Sequence, residues 1–208
     1  MLNIYKSAKM KEFLPEETFN PQFDIHNLEI NKNMLICGPT GSGKTNFLYN
    51  YMLQMQNTFH EIIIYTQDVN EEAYQMFAKQ SDMIKIRSIH SVEPVASLDK
   101  LEQKLIVFDD FIVLNKKQMK VIEDYSIRGR KQLCTMLYLT QDFYKVPTII
   151  RNQLRYLVLL KITNKRNLNM IMSTLSFEIS KEQLKDTILD ATEEKFSVAI
   201  ADLNETDP

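Results

Sequence analysis

The octapeptide Gly38-Pro39-Thr40-Gly41-Ser42-Gly43-Lys44-Thr45 fits G-x-x-x-x-G-K-[ST], a spacing suited to holding a polyphosphate. Backbone N–H groups of such a turn point inward, and the N-terminus of a following helix completes a positive concavity. Lys44 is placed to reach β- and γ-phosphates, and the Thr45 hydroxyl to ligate Mg²⁺. The surroundings agree: the apolar run Met34-Leu35-Ile36-Cys37 precedes the turn, and the helical pattern Asn46-Phe47-Leu48-Tyr49 follows it. Only four glycines occur in 208 residues and three of them lie here, so the match does not come from glycine-rich composition.

A second element supplies carboxylates. Lys104-Leu105-Ile106-Val107-Phe108-Asp109-Asp110 reads as a strand buried on both faces that ends in two acids. Ligands collect at the carboxyl ends of such strands. Asp109 is placed to hold Mg²⁺ opposite Thr45, and Asp110, pointing differently, to polarise an attacking water. Taken alone, the pair also reads as an acidic helix start. Gln141 ends the run Leu133–Thr140. If that strand lies between the phosphate-loop strand and the acidic strand, Gln141 faces the γ-phosphate; otherwise it is a turn residue. In Arg128-Gly129-Arg130-Lys131, the fourth glycine has three cations around it. It can end a helix, or present an arginine to a neighbouring subunit's nucleotide.

Regular alternation of apolar runs and helical patterns from Met34 onward must position these residues. It predicts an α/β domain with a mainly parallel central sheet and helices on both faces. Strands are expected near 61–66, 83–86, 104–109, 133–140, 156–162 and 195–201, and helices near 70–79, 116–125, 147–154, 167–175 and 181–189. Residues 1–33 read as a polar arm plus an edge strand near Phe23 to Ile30, residues 34–203 as the nucleotide-binding domain, and 204–208 as a frayed tail. No internal repeat or linker marks a second domain.

The net charge of −2 argues against nucleic-acid binding by bulk charge, without excluding a local basic surface. Such a stretch exists: Lys116, Lys117, Lys120, Arg128, Arg130 and Lys131 stand against Glu123 and Asp124, a local balance of +4. Lys161, Lys165 and Arg166 form another cluster. Cys37 and Cys134 lie in apolar runs and read as buried thiols in a reducing compartment. The scattered histidines, His26, His60 and His90, suggest no zinc site. The eleven methionines read mostly as core. No apolar stretch approaches the roughly 18 residues of a membrane span, so a soluble intracellular protein is expected.

The ordered series Gly-x-x-x-x-Gly-Lys-Thr, Leu-Ile-Val-Phe-Asp-Asp, Arg-Gly-Arg and Leu-Tyr-Leu-Thr-Gln-Asp-Phe-Tyr-Lys-Val-Pro-x-x-Ile-Arg-Asn resembles the FtsK–HerA-type genome-packaging ATPases of large double-stranded DNA viruses, virophages and polinton-like elements. The likeness runs from about Asn33 to Arg166, and Tyr125 to Asn152 is its specific part. Lys131 departs from it, since histidine is frequent there in relatives. The resemblance implies a P-loop NTPase fold of the RecA-like, additional-strand type, with ATP and Mg²⁺ as cofactors. It implies a homo-oligomeric ring, a pentamer or hexamer, that drives double-stranded DNA into a preformed capsid through capsid or portal-like vertex proteins. Residue by residue, it makes Lys44 and Thr45 phosphate and Mg²⁺ ligands, Asp109 the metal-side acid, Asp110 the general base and Gln141 the γ-phosphate sensor. Arg130, with Arg128 as the neighbouring candidate, becomes a finger acting in trans, and Arg151 competes for that role. Such a protein belongs in the infected-host cytoplasm, viral factory or nucleus, and in the virion.

No base-reading device is visible, so DNA contacts are expected to follow the backbone rather than the sequence. Two other readings keep the phosphate loop. One is a nucleotide switch that binds a protein partner; the other is a small-molecule kinase, disfavoured because no arginine-rich lid follows the acidic strand.

Overall fold

The computed structural model describes residues 19–162, 164–175 and 179–204. Most of the expected arm and tail lie outside these residues. In chain order the elements are α1 (Phe23–His26), β1 (Asn33–Cys37), α2 (Lys44–Gln54), β2 (Glu61–Thr66), α3 (Glu72–Gln80), β3 (Ile84–Ser88) and β4 (Lys104–Asp109). Then come α4 (Lys116–Arg128), β5 (Cys134–Thr140), α5 (Thr148–Arg151), β6 (Leu154–Leu159), α6 (Lys165–Thr174), α7 (Lys181–Ala191) and β7 (Ala199–Asp202). The strands form one sheet in the order β3-β2-β4-β5-β1-β6-β7. Every pairing is parallel except β6–β7.

The alternation of side chains along each strand divides the interior into two layers. Met34, Ile36, Ile64, Leu105, Val107 and Leu139 meet Leu48 and Tyr51 of α2 and Tyr74 and Phe77 of α3 on one face. Leu35, Cys37, Ile106, Phe108 and Tyr138 meet Ile122 and Tyr125 of α4, Ile171 of α6 and Leu184 of α7 on the other. Both faces of β1, β4 and β5 are covered, which is why their sequences are continuous apolar runs. Across three adjacent strands the rings of Tyr65, Phe108 and Tyr138 stack in register, with centroids 5.6 and 5.5 Å apart. Cys37 and Cys134 are buried free thiols, each pushed up to about 12 by burial.

The sheet edges differ from expectation. No strand forms over Phe23–Ile30; Phe23–His26 is a helical turn, and Asn27 and Asn31 adopt left-handed backbone at φ 54° and 57°. Asparagine tolerates that conformation, and two such residues break an extended run. Leu28 and Ile30 pack into the core instead. The edges are β3, where Lys85 pairs with Glu61 and Arg87 with Glu93 at 2.6 Å, and the four-residue β7. The strand expected over 195–201 starts only at Ala199, because Phe196 has φ 73° and is not extended, and it runs antiparallel to β6.

Candidate active site

The site forms at the carboxyl ends of β1, β4 and β5. The turn after β1 is held between its neighbours: Gly38 N–H donates to Thr140 at 3.1 Å, and Leu160 N–H donates to Cys37 at 3.0 Å. Gly43, the N-cap of α2, has φ 104°, and a Cβ there would lie 2.7 Å from the Phe196 ring. Both the backbone conformation and the close approach demand glycine. Lys44 Nζ donates to the carbonyls of Gly38 at 2.9 Å and Pro39 at 3.1 Å, so the ammonium spans the mouth of the loop. Burial lowers its pKa, while Asp110 and Asp109 oppose that shift.

β5 does lie between β1 and β4, as the γ-phosphate reading of Gln141 requires. Gln141 joins the two flanking strands' loops. Its Oε1 accepts from Thr40 Oγ1 at 2.9 Å, and its Nε2 donates to both carboxylate oxygens of Asp110 at 3.3 Å. Asp110 has φ 48°, a left-handed conformation that turns its side chain away from Asp109 and toward Gln141. A cleft of about 640 Å³ opens here, lined by Gly38, Pro39, Asp110, Gln141, Lys145 and Asn167 among others.

Asp109 points into the domain. Its Oδ2 accepts from the Tyr74 hydroxyl of α3 at 2.7 Å. Burial pushes the Asp109 carboxyl up to about 6 even though the Tyr74 hydrogen bond pulls it down; Asp110 and Glu71 add to the rise. Burial, reinforced by Asp109, raises the Tyr74 hydroxyl, which also meets the Thr45 side chain. Thr45 and Asp109 therefore converge on one spot. Both are hard oxygen donors of the kind Mg²⁺ takes. Among the described residues no group of three or more histidine, cysteine or acidic side chains could hold a metal. A cation here needs phosphate oxygens and water as well, which is the usual arrangement for Mg²⁺. The residues present fit that ion.

Sequence reasoning missed Tyr74, because a helical tyrosine beside Phe77 reads as core and its hydroxyl's partner lies 35 residues away. It also missed Glu71, whose carboxyl is raised by burial and then by Asp68 and Asp110.

The arginines sit elsewhere. Arg128 and Arg130 are exposed at the amino end of β5, the length of a seven-residue strand from the loop, about 20 Å. They do not reach their own chain's phosphate site. Gly129 caps α4 as expected, in helical backbone with φ −56° and ψ −36°. A Cβ there would meet Met136 Sδ at 2.6 Å, so this glycine serves close packing, and Leu133 makes the left-handed turn at φ 53°. Arg151 is held within its own chain. It donates to Val146 O at 3.1 Å and Thr148 Oγ1 at 3.0 Å and lies over the Phe143 ring. The basic stretch is also divided, with Lys116, Lys117 and Lys120 at the site end of α4 and the two arginines and Lys131 at the other.

The family model described as Poxvirus A32 protein matches residues 20–202. The chain belongs to the poxvirus A32 protein family. This is a viral packaging ATPase family, in agreement with the FtsK–HerA resemblance drawn from the motifs. Solved structures extend the likeness of fold beyond the A32 family. The DNA-packaging ATPase B204 of Sulfolobus turreted icosahedral virus superposes with a TM-score of 0.61 at 15% identity, covering 85% of this chain and 95% of that one. The genome packaging NTPase B204 of Sulfolobus turreted icosahedral virus 2, in complex with AMP, gives a TM-score of 0.65 at 12% identity with the same coverage. The cytoplasmic domain of the Thermomonospora curvata type VII secretion ATPase EccC gives 0.60 at 13% identity, over 85% of this chain and 24% of that one. No curated protein is significantly similar to the chain. The A32-family chain thus has the P-loop NTPase fold with the additional strand. Among its described residues no helix is long and apolar enough to cross a membrane.

Proposed function

We propose that this protein hydrolyses ATP in a Mg²⁺-dependent reaction and, as an oligomeric ring, uses it to drive double-stranded viral DNA into a preformed capsid. The hydrogen-bonded series Thr40–Gln141–Asp110 carries this reading. A protein that only binds nucleotide needs the phosphate loop alone. A carboxylate and an amide held together at the γ end serve hydrolysis. Asp110 accepts a proton from the attacking water, and Gln141 orients that water and couples it to the loop through Thr40. Lys44 exchanges its loop carbonyls for β- and γ-phosphate oxygens. Mg²⁺, held by Thr45 and Asp109 with phosphate oxygens, would neutralise charge there.

Arg130, or Arg128 beside it, completes the site of an adjacent subunit, since neither reaches the site in its own chain. A ring repeats the lysines of α4 around its channel, so modest charge per subunit neutralises several DNA phosphates. Similarity in fold to B204, named a DNA-packaging ATPase, supports the same use. Capsid or portal-like vertex proteins are the remaining partners, and the infected cell and the virion the places of action.

Steady-state ATP turnover with and without double-stranded DNA tests the proposal. Stimulation that is independent of DNA sequence is expected, together with ring particles under electron microscopy in the presence of nucleotide. Turnover unaffected by DNA would overturn the translocase reading in favour of a nucleotide switch.

A further inference from the structure

The phosphate loop has a second side, which the hydrolytic residues leave unused. Asp110 and Gln141 lie toward β4 and β5, whereas β6 and β7 flank the loop on the opposite side. A triphosphate held by Lys44 with its γ end at Asp110 and Gln141 places its α end at Gly43 and the start of α2. Its nucleoside then leaves across Gly43 toward β6 and β7. Phe196 stands there. Its Cδ1 and Cε1 lie 2.7 and 3.4 Å from the position of a Gly43 Cβ, with Leu160 Cδ2 at 3.6 Å.

We propose that the Phe196 ring is the platform on which the base of the bound nucleotide stacks. This rests on the ATPase reading above and adds the recognition of the base. Several observations show that the ring is held in place. Phe196 has φ 73°, an unfavourable conformation for a bulky residue that persists only where its surroundings impose it. Those surroundings are fixed: Lys161 Nζ donates to Glu193 O at 3.2 Å, Ser197 N–H donates to Glu194 O at 3.3 Å, and Ala199 pairs with Leu159 immediately afterwards. The ring joins neither core layer and is 50% exposed, although Val198 two residues later packs inward. Lys195 Nζ lies 4.8 Å from the ring centroid. An aromatic face with a cation beside it suits a ligand that carries a base and phosphates together. Stacking on an aromatic face tolerates either purine, so the platform takes ATP and GTP alike.

The test compares ATP with inorganic tripolyphosphate, which has the phosphates and no base. Phe196→Leu keeps apolar bulk against Gly43 and removes the aromatic face. It is expected to weaken ATP binding roughly 5- to 100-fold and to leave tripolyphosphate binding unchanged. Phe196→Trp introduces the only tryptophan of the chain, and its fluorescence is expected to change on adding ATP or GTP but not tripolyphosphate. Equal weakening of both ligands by Phe196→Leu would show that the ring only buttresses the loop and would overturn the proposal. So would unchanged ATP affinity, or a tryptophan that does not respond to ATP the protein binds. If the unaltered protein binds neither ligand, the ATPase reading itself fails, a result distinct from these.

Discussion

The two ends of the central sheet are built on opposite principles. At the carboxyl end, Gly41, Gly43 and Asp110 hold positive φ, Asp110 and Gln141 line a cleft, and Lys44 spans the loop beside it. At the amino end, Gly129 is helical and packed on Met136, while Arg128 and Arg130 stand exposed, Arg128 3.9 Å from Asp124 and Arg130 near enough to Glu29 to help lower its pKa. A carboxyl raised by burial marks the first end, whereas the second carries exposed cations. The phosphate loop, the two acids and Gln141 share one end, and Arg128 and Arg130 stand at the other. On the function proposed above, a second copy bridges that separation of about 20 Å along β5.

The sharpest way to break this contrast is at Lys44. Lys44→Ala removes the only cation that bridges the loop, and hydrolysis should fall below detection with nucleotide binding greatly weakened, as read by phosphate release and titration calorimetry. Retained turnover would mean that the carboxyl end is not the reaction centre. Arg130→Ala addresses the other end. A finger in trans is worth about 10³–10⁵ in rate, and its loss should leave ATP binding intact. Mixing the Arg130→Ala and Lys44→Ala proteins should restore part of the activity wherever an intact loop meets an intact arginine. If labelled subunits exchange and the mixture stays inactive, the arginine is not acting in trans, and Arg128 is next. Arg151 is the weaker substitute, because its guanidinium is already bonded to Val146 and Thr148.

A smaller effect, about 10²–10⁴ in turnover, is expected for Asp110→Asn with ATP affinity preserved. Gln141→Ala should slow turnover less and uncouple it from DNA; full DNA-stimulated activity would reduce Gln141 to a turn residue. The smallest effect is on stability. The Asp109 carboxyl is raised from 3.8 to about 6, so the folded chain holds that proton more tightly than the unfolded one. The buried charge therefore destabilises the fold increasingly as pH rises through this window, and fully above it. With nucleotide absent and EDTA present, Asp109→Asn should raise Tm by several degrees at pH 8, on the order of 3 kcal/mol at most. Roughly half of that gain should remain at pH 5. A gain that does not shrink on acidification would sink the assignment of this shift to Asp109.

Local chemistry made much of this legible in the sequence. A phosphate loop needs glycines, a lysine and a threonine at fixed spacing between a strand and a helix. Runs such as Leu105–Phe108 and Cys134–Leu139 announce central parallel strands because both faces are covered. Gln141 was readable once its strand was known to be central. What stayed hidden depends on backbone conformations that unexpected residues adopt, or on partners distant in sequence. Asn27 and Asn31 undo an apparent edge strand by taking left-handed φ. Gly129 does cap α4, as its place in the sequence suggests, but in helical backbone, and close contact with Met136 rather than a left-handed φ is what favours glycine there. Tyr74 and Phe196 become part of the site only when α3 and the loop before β7 are folded against the phosphate loop.

The edges of the sheet bear on how copies can meet. On β3, the cations of Lys85 and Arg87 are engaged by Glu61 and Glu93, and β7 offers only four residues. Charged and short edges discourage a neighbour from adding its own strand. A ring of the kind proposed must then be joined through side chains of helices and loops rather than through a continuous backbone ladder. Contacts of that sort can slide and re-form during each nucleotide cycle, whereas a shared sheet would lock the subunits in one register.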